Sequence, residues 1–230
     1  ASDAATEDAF GGTVSSAGDV DGDGYDDILI AAGGAEQYTG AAYLYLGSST
    51  GVRPRSELLL SSSDGARGDY YGYAALGASD LSGDGLDDLA VSAPWTNFGS
   101  GAVYLYTGAV SGVGAEVELA PMALSYGDTL GLDISAGDLD GDGFSDIIAG
   151  APGDDAEADD GGAVWVFLGA SDLAAMSSSR IYPSTAQAGA TVGRRVASGG
   201  DLDGDGYDDV VAGERGGTGT GGPVHLWRGS

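Results

Sequence analysis

The chain has 230 residues, 42% of them hydrophobic, which is enough to bury the core of one good-sized domain. Its 36 acidic residues outnumber eight basic ones, all arginine, and the formal charge of −28 excludes nucleic acids and anionic membrane surfaces as natural partners. Because cysteine is absent, disulfides, zinc–thiolate sites and thiol catalysis are excluded as well.

One nine-residue acidic pattern occurs four times, beginning at positions 19, 80, 138 and 201. Each copy has oxygen-bearing side chains at its first, third and fifth positions and a glycine at its sixth, which permits the sharp turn needed to encircle a hard cation. These side chains belong to Asp19, Asp21, Asp23, Asp80, Ser82, Asp84, Asp138, Asp140, Asp142, Asp201, Asp203 and Asp205. The pattern predicts four calcium sites. It also predicts an extracellular, cell-surface or periplasmic location, because cytosolic free calcium is too low for loops of this kind.

The spacing of the loops divides the chain into repeats of about 60 residues, each beginning with a short first strand. An apolar residue followed by glycine precedes each loop, and small side chains lie between this pair and the loop. The pairs are Phe10-Gly11, Tyr71-Gly72, Leu130-Gly131 and Val192-Gly193. Small side chains here are typical of a strand packed near a crowded central axis.

Two further strands are predicted after each loop. The second strand is an aliphatic run, and the third alternates aromatic with aliphatic residues, so both faces of each sheet must be covered. The second strands are predicted at 28–30, 89–91, 147–148 and 210–211, and the third strands at 41–46, 102–107, 163–168 and 223–228. Weaker apolar runs at 57–60, 116–119 and 180–182 predict outermost fourth strands in three repeats.

Four short antiparallel strands per repeat, stacked through apolar faces, predict an all-β fold, a β-propeller of four blades that requires no helix. We expect one propeller domain, or a propeller fragment, over 1–230, with repeats at approximately 7–64, 65–123, 124–186 and 187–230. The outer strand of the last blade is doubtful, and segment 1–9 has too little β-branched or aromatic content to replace it. We therefore expect an unpaired edge that further blades of a longer chain, or a second copy, would cover.

The repeats resemble FG-GAP repeats, the blades of the integrin α-chain propeller and of many bacterial surface proteins. Phe10-Gly11 matches the first half of that name, Gly150-Ala151-Pro152 matches the second, and Ser92-Ala93-Pro94 is close to it. The resemblance covers about residues 7 to 229. It implies that each calcium ion is also ligated by a backbone carbonyl at position seven and a carboxylate at position nine. Carried over, the carbonyls are those of Tyr25, Leu86, Phe144 and Tyr207, and the closing carboxylates are Asp27, Asp88, Asp146 and Asp209.

Two observations qualify the calcium interpretation. Ser82 departs from the family pattern, because a hydroxyl replaces a carboxylate and weakens the second site. Helical EF-hand loops share the opening of the pattern but need a bidentate glutamate at position 12. That position holds Ile30, Val91, Ala149 and Ala212, so the EF-hand interpretation fails in all four repeats.

Two exposed motifs have ordinary interpretations. Arg67-Gly68-Asp69 spells the tripeptide that integrins recognise, but its Gly-Asp half belongs to the repeat pattern, so we interpret it as a coincidence. The acidic run at 153–161 could be an extra cation site, but a charge run in a loop is usually solvated, and that interpretation is favoured.

Three side chains stand out from the repeat pattern. His225, the only histidine, aligns with aromatic residues of the other third strands and is expected to pack within a blade. Asp133 and Arg195 share one register in neighbouring repeats, so we expect them to pair near the central channel.

The sequence favours a calcium-stabilised, non-enzymatic extracellular binding or adhesion module. It would present loops 31–40, 92–100, 150–162 and 213–222 on the face opposite the calcium sites, to an extracellular protein or glycan ligand. A propeller lectin that grips glycans through Trp95, Phe98 or Tyr38 is the alternative, although plain packing also accounts for such aromatics. An accessory propeller of a polysaccharide-active enzyme has less support, because metal ligation accounts for the acidic positions. No signal peptide or membrane-length apolar run is present, so an exported protein would be in its mature or trimmed form.

Overall fold

The computed structural model describes residues 8–53, 57–63, 65–184, 187–215 and 221–230. Its strands form four antiparallel sheets, and within each sheet the strands are hydrogen-bonded in their order along the chain, as in propeller blades. Blade 1 contains β1 (Thr13–Gly18), β2 (Asp27–Ala32), β3 (Ala41–Tyr45) and β4 (Glu57–Leu60), and blade 2 contains β5 (Ala75–Gly77), β6 (Leu89–Ala93), β7 (Ala102–Ala109) and β8 (Gly112–Leu119). Blade 3 contains β9 (Ile134–Gly137), β10 (Asp146–Ala151), β11 (Ala163–Phe167) and β12 (Ser178–Ile181), and blade 4 contains β13 (Arg195–Ser198), β14 (Val210–Arg215) and β15 (Gly221–Trp227).

This architecture confirms the predicted all-β fold of four blades. The fourth blade has three strands within the described ranges, as the sequence indicated. Segment 1–7, most of the segment considered as a substitute outer strand, lies outside the described residues. The repeat boundaries stay a prediction.

The two faces of each sheet are built from alternating positions, because successive side chains of a strand point to opposite faces. In blade 1, one row across the sheet consists of Val14, Ile30, Tyr43 and Leu59. The neighbouring positions Leu29 and Leu44 point the other way and are fully buried against blade 2. Three apolar clusters of this kind fill the three spaces between neighbouring blades.

Glycines allow the blades to approach each other closely. An isolated parallel bridge joins Gly40 to Tyr71, and equivalent bridges join blade 2 to blade 3 and blade 3 to blade 4. Gly40 has a φ of +89°, and an added Cβ would lie 2.0 Å from the Tyr71 carbonyl oxygen. Only glycine fits this position, since it satisfies both the left-handed backbone and the short distance.

Regular helices play no part in the described fold, as predicted. Two four-residue segments, Ala35–Tyr38 and Thr96–Gly99, have helical hydrogen bonds, but their central residues are left-handed, with φ between 49° and 64°. A single 3₁₀ turn occupies Leu173–Ala175. Within the described residues, no helix reaches the length and apolarity needed to cross a bilayer.

Residues of the four first strands line a cavity of about 550 Å³. Asp133 and Arg195 line it, and their Oδ1 and Nη1 atoms are 3.5 Å apart, which confirms the predicted pair. The second carboxylate oxygen of Asp133 accepts a hydrogen bond from the Val196 backbone N–H at 3.0 Å. The Arg195 side chain is 80% exposed, so this ion pair is open to solvent.

Candidate metal centres

Each acidic loop joins the first and second strands of its blade, and its first aspartate holds it in a compact turn. The Asp19 carboxylate accepts hydrogen bonds from the backbone N–H groups of Asp23 at 3.0 Å and Gly24 at 2.8 Å. Asp80 and Asp201 accept the same two bonds in the second and fourth loops, and Asp138 accepts from the backbone N–H groups of Gly141 and Gly143. Gly22 and Gly24 have φ values of +72° and +88°, which allows this turn without a steric penalty. The loop is therefore shaped by its own backbone donors.

The ninth-position aspartates are buried, and they tie each loop to the end of the third strand. Asp146 accepts hydrogen bonds from the backbone N–H groups of Gly169 and Leu139, both at 2.7 Å. The same pair of bonds is made by Asp27, Asp88 and Asp209. These carboxylates therefore have a structural role that does not depend on a cation.

Burial and crowding alter the pKa values of several loop carboxylates. Burial raises the pKa of Asp27, and it raises the pKa of Asp88 and Asp146 to about 6, although backbone N–H donors oppose the shift. Burial raises the pKa of Asp140 too, with a further contribution from the neighbouring acids. The exposed Asp201 differs, because backbone donors, Gly206 foremost, lower its pKa.

Three of the four loops gather carboxylate groups whose oxygens lie within 4.8 Å of one another. The groups are Asp19, Asp21 and Asp23; Asp138, Asp140 and Asp146; and Asp201, Asp203 and Asp205. The second loop, whose residues are all described, forms no such group of three acids. Its third position is Ser82, which offers a hydroxyl in place of a carboxylate, and the weaker second site stays a prediction.

Two buried oxygens at the third loop position lack a hydrogen-bond partner among the described residues. They are Asp21 Oδ1 and Ser82 Oγ. Buried polar atoms are normally paired, so an unpaired oxygen beside carboxylates indicates room for a ligand. Carboxylate, hydroxyl and carbonyl oxygens are the ligands that calcium prefers, and the residues present therefore fit this cation.

Two arginines lie against the acidic loops, and the repeat pattern did not predict them. Arg53 Nη1 is 3.1 Å from Asp21 Oδ2, and its Nη2 contacts Asp23. Arg228 Nη1 is 2.8 Å from Asp203 Oδ2. Both residues follow a third strand, which ends at the same end of the blade as the loop. The sequence held one indication of this. The chain has only eight basic residues, and two of them lie just after third strands, close to the acidic loops.

Four segments of the chain match the FG-GAP repeat: residues 10–45, 71–106, 130–167 and 192–227. The chain belongs to the FG-GAP repeat family. It is 34% identical to integrin alpha-PS5 of Drosophila melanogaster over 160 residues, which cover 65% of this chain and 15% of that protein. It is 30% identical to integrin alpha pat-2 of Caenorhabditis briggsae over 228 residues, which cover 88% of this chain and 18% of that protein. The chain thus spans less than a fifth of the length of these relatives.

Three of the four seventh-position residues contact the preceding FG-GAP blade. The side chains of Leu86, Phe144 and Tyr207 lie over the fourth-position glycines of the preceding loops, where an added Cβ would come within 3 Å of them. Metal ligation by their carbonyls, and by that of Tyr25, stays a prediction.

An aromatic cluster lies at the end of the FG-GAP blades opposite the acidic loops. It consists of Tyr38, Tyr70, Tyr73 and Trp95, with ring centroids 4.9 to 5.1 Å apart. Phe98 is beside it in the β6–β7 turn and is 87% exposed. The sequence indicated Tyr38, Trp95 and Phe98, but not Tyr70 and Tyr73, which come from the segment before β5. Of the loops expected at this end, 213–222 is described only at residues 213–215 and 221–222.

The structure agrees with the interpretation of the Arg-Gly-Asp tripeptide at 67–69 but not fully with that of the acidic run at 153–161. Asp69 of the Arg-Gly-Asp tripeptide is buried, and its carboxylate accepts a hydrogen bond from the Ala66 N–H at 2.6 Å, as expected for a repeat feature. The acidic run at 153–161 is not wholly solvated, and that interpretation needs correction. Asp154 is buried and its Oδ2 lies 2.9 Å from Nη1 of Arg180, since the outer strand β12 carries a guanidinium directly to it.

The single histidine packs within its blade, as expected. His225 Nε2 lies 2.8 Å from Glu214 Oε2 of the neighbouring strand, and its ring is 5.7 Å from that of Trp227. Strand pairing explains the contact with Glu214, because His225 lies on β15 beside β14, and the contact with Trp227 joins two residues of β15 that point to the same face.

Proposed function

We propose that this FG-GAP propeller is a calcium-stabilised, non-enzymatic extracellular module of the adhesion type. The observation that carries the proposal is the separation of its two ends, with acidic loops at one end and exposed aromatic side chains at the other. Relatives named as integrin alpha chains support the adhesion assignment. On this view, one end of each blade is stabilised by a cation while the other end binds an extracellular protein.

The acidic loops would hold calcium through the first, third, fifth and ninth side chains of each pattern. Bound calcium would supply positive charge that offsets the mutual repulsion of these carboxylates. In blades 1 and 4, the guanidinium groups of Arg53 and Arg228 contact loop carboxylates and already offset part of this repulsion. The loops of blades 2 and 3 have no arginine contact among the described residues, so their stability should depend most on the cation.

The proposed ligand surface lies around Phe98. A cavity of about 390 Å³ there is lined by Arg67, Trp95, Asn97 and Phe98. Aromatic and arginine side chains carry much of the binding energy in protein interfaces. Asn97 and Phe98 also have left-handed backbones, with φ of 51° and 63°. Such conformations cost of the order of 1–3 kcal/mol each and concentrate at functional sites.

A lectin is the second candidate, favoured by the clustering of Tyr38, Tyr70 and Trp95, whose neighbouring ring centroids are 5.1 and 4.9 Å apart. Aromatic faces of this kind can stack on sugar rings. The two candidates differ in their probes, which are purified extracellular-matrix proteins for the adhesion module and arrayed oligosaccharides for the lectin.

The test is to measure binding of the wild-type chain and of Phe98→Ala to both sets of probes. We expect binding to at least one matrix protein, and at least a tenfold loss in Phe98→Ala, because about 1.4 kcal/mol corresponds to a tenfold change in affinity. The matched control is Val110→Ala, which truncates an equally exposed side chain at the other end of the blades. Binding to oligosaccharides alone would contradict the adhesion assignment in favour of the lectin.

A further inference from the structure

All three junctions between neighbouring blades use the same contacts. The seventh residue of one loop covers the fourth-position glycine of the preceding loop, as Leu86 covers Gly22. The eighth residue donates its backbone N–H to the carbonyl of the preceding loop's first aspartate, at 3.3, 3.0 and 2.8 Å in the three junctions. Each junction therefore joins a glycine half, which offers the glycine and the carbonyl, to a covering half, which offers the side chain and the N–H.

Blade 4 exposes a glycine half. An added Cβ at Gly204 would have nothing within 4 Å, and the Asp201 carbonyl accepts no hydrogen bond from the described residues. On the same face, Leu226 is 52% exposed, and Leu202 and Val224 are exposed as well. The equivalent side chains of blade 1 are buried against blade 2, namely Val20, Ala42 and Leu44.

Blade 1 exposes a covering half. The Tyr25 side chain is exposed at the seventh loop position, and no hydrogen bond from the Asp26 N–H is found in the described part of the chain. The outward row of blade 1 ends in Val14 and Leu59, which are 60% and 59% exposed. The equivalent row of blade 2 is buried against blade 1 at three positions, Ala75, Val91 and Tyr104.

We propose that a second copy of this chain covers both exposed faces, with blade 4 of each copy packed against blade 1 of the other. Tyr25 of one copy would then lie over Gly204 of the other, as Tyr207 lies over Gly141 within the chain. A head-to-tail contact of this kind closes into a ring when its rotation permits, and two copies make eight blades, within the range of known propellers. A contact between two like faces would instead bring together two glycine halves, which have no covering side chain to offer each other.

The test is the mass of the 230-residue chain in solution, measured by light scattering over a range of protein concentrations. The formal charge of −28 opposes association, so the measurement is made with calcium and in about 1 M salt, where the screening length is about 3 Å. We expect twice the 22.6 kDa mass of the chain. A monomer at every concentration would overturn the proposal, and it would leave the proposed calcium and adhesion functions unaffected.

Substitutions identify the faces involved. Leu226→Asp alters the glycine half and Val14→Asp the covering half, and each should weaken dimer formation at least tenfold. An equimolar mixture of the two variants retains one intact junction and should recover part of the dimer.

The control variant Met122→Asp adds the same charge at a fully exposed position outside both faces and should leave the dimer unchanged. Circular dichroism melts monitor folding. The head-to-tail arrangement would be contradicted if only one of the two face variants lost the dimer, or if Met122→Asp weakened the dimer as much as they do.

Discussion

At the scale of single residues, the ninth-position aspartates explain how this acidic chain buries carboxylates. Each accepts two or more backbone hydrogen bonds that link its loop to the end of the third strand of the same blade. A buried N–H group without an acceptor costs about 1–3 kcal/mol, so the carboxylate compensates two donors at once. The fifth-position aspartates are exposed in contrast. Apart from Asp23, which contacts Arg53, their main interaction would be with a cation.

This difference predicts opposite behaviour of two aspartates in the third loop. In chelator, Asp146→Ala should lower the free energy of unfolding by about 2–5 kcal/mol, because the Gly169 and Leu139 N–H groups lose their acceptor. Asp142→Ala should stay within about 1 kcal/mol of wild type in chelator and lose stability only relative to wild type in calcium. Urea unfolding with and without calcium measures both. Equal losses in chelator would contradict the structural role of the ninth position.

The ninth-position role was only partly predictable from the sequence. The regular spacing showed that Asp27, Asp88, Asp146 and Asp209 belong to the loops, and the family resemblance implied that they ligate calcium. Their hydrogen bonds to the ends of the third strands depend on how two segments about 20 residues apart meet in space. Spacing along the chain carries no information on that contact.

At the scale of elements, the β10–β11 turn is held by charges that the repeat pattern does not contain. Arg180 of β12 pairs with the buried Asp154, and its guanidinium lies 5.3 Å from the centre of the Trp165 ring. Asp128 is buried nearby, and its Oδ1 has no hydrogen-bond partner among the described residues. The left-handed turns are a further feature that sequence could not predict, since residues such as Phe98 rarely adopt that backbone.

The surroundings of Asp128 predict a pH-dependent effect. Burial, followed by the charges of Asp154 and Asp155, raises the pKa of Asp128 against the opposing effects of the Ser125 N–H and Arg180. The folded state therefore holds this proton more tightly than the unfolded chain does. The stability that protonation contributes is present at low pH and is lost as pH rises through the raised pKa.

Asp128→Asn imitates the protonated carboxyl at every pH, and its amide oxygen can still accept from the Ser125 N–H. We expect the melting temperature of this variant, relative to wild type, to be higher at pH 7 than at pH 4. Asp69→Asn alters the equivalent buried turn of blade 2 and controls for the loss of one negative charge. Thermal melts at the two pH values measure the difference. A larger relative gain at pH 4 would contradict the assigned direction.

At the scale of the whole molecule, the repeat accounts for most of the fold. The alternation of aromatic and aliphatic residues in the third strands predicted two-sided sheets, and the structure buries both faces of blades 2 and 3. The direction in which blades 1 and 4 expose apolar side chains was less predictable. Blade 1 exposes a covering half of a junction and blade 4 exposes a glycine half. The two halves can be told apart only by comparing the three junctions within the structure.

The central claim is that calcium bound at the acidic loops stabilises the propeller, and the melting temperature with and without calcium tests it most directly. A site with a dissociation constant of about 0.1 mM contributes about 1.4 kcal/mol at about 1 mM calcium. Several such sites approach the whole stability of a typical domain, about 5–15 kcal/mol. We predict a clear rise in melting temperature in about 1 mM calcium relative to chelator, and a smaller rise in magnesium, which dehydrates less readily. An identical melting temperature in calcium and in chelator would contradict the account.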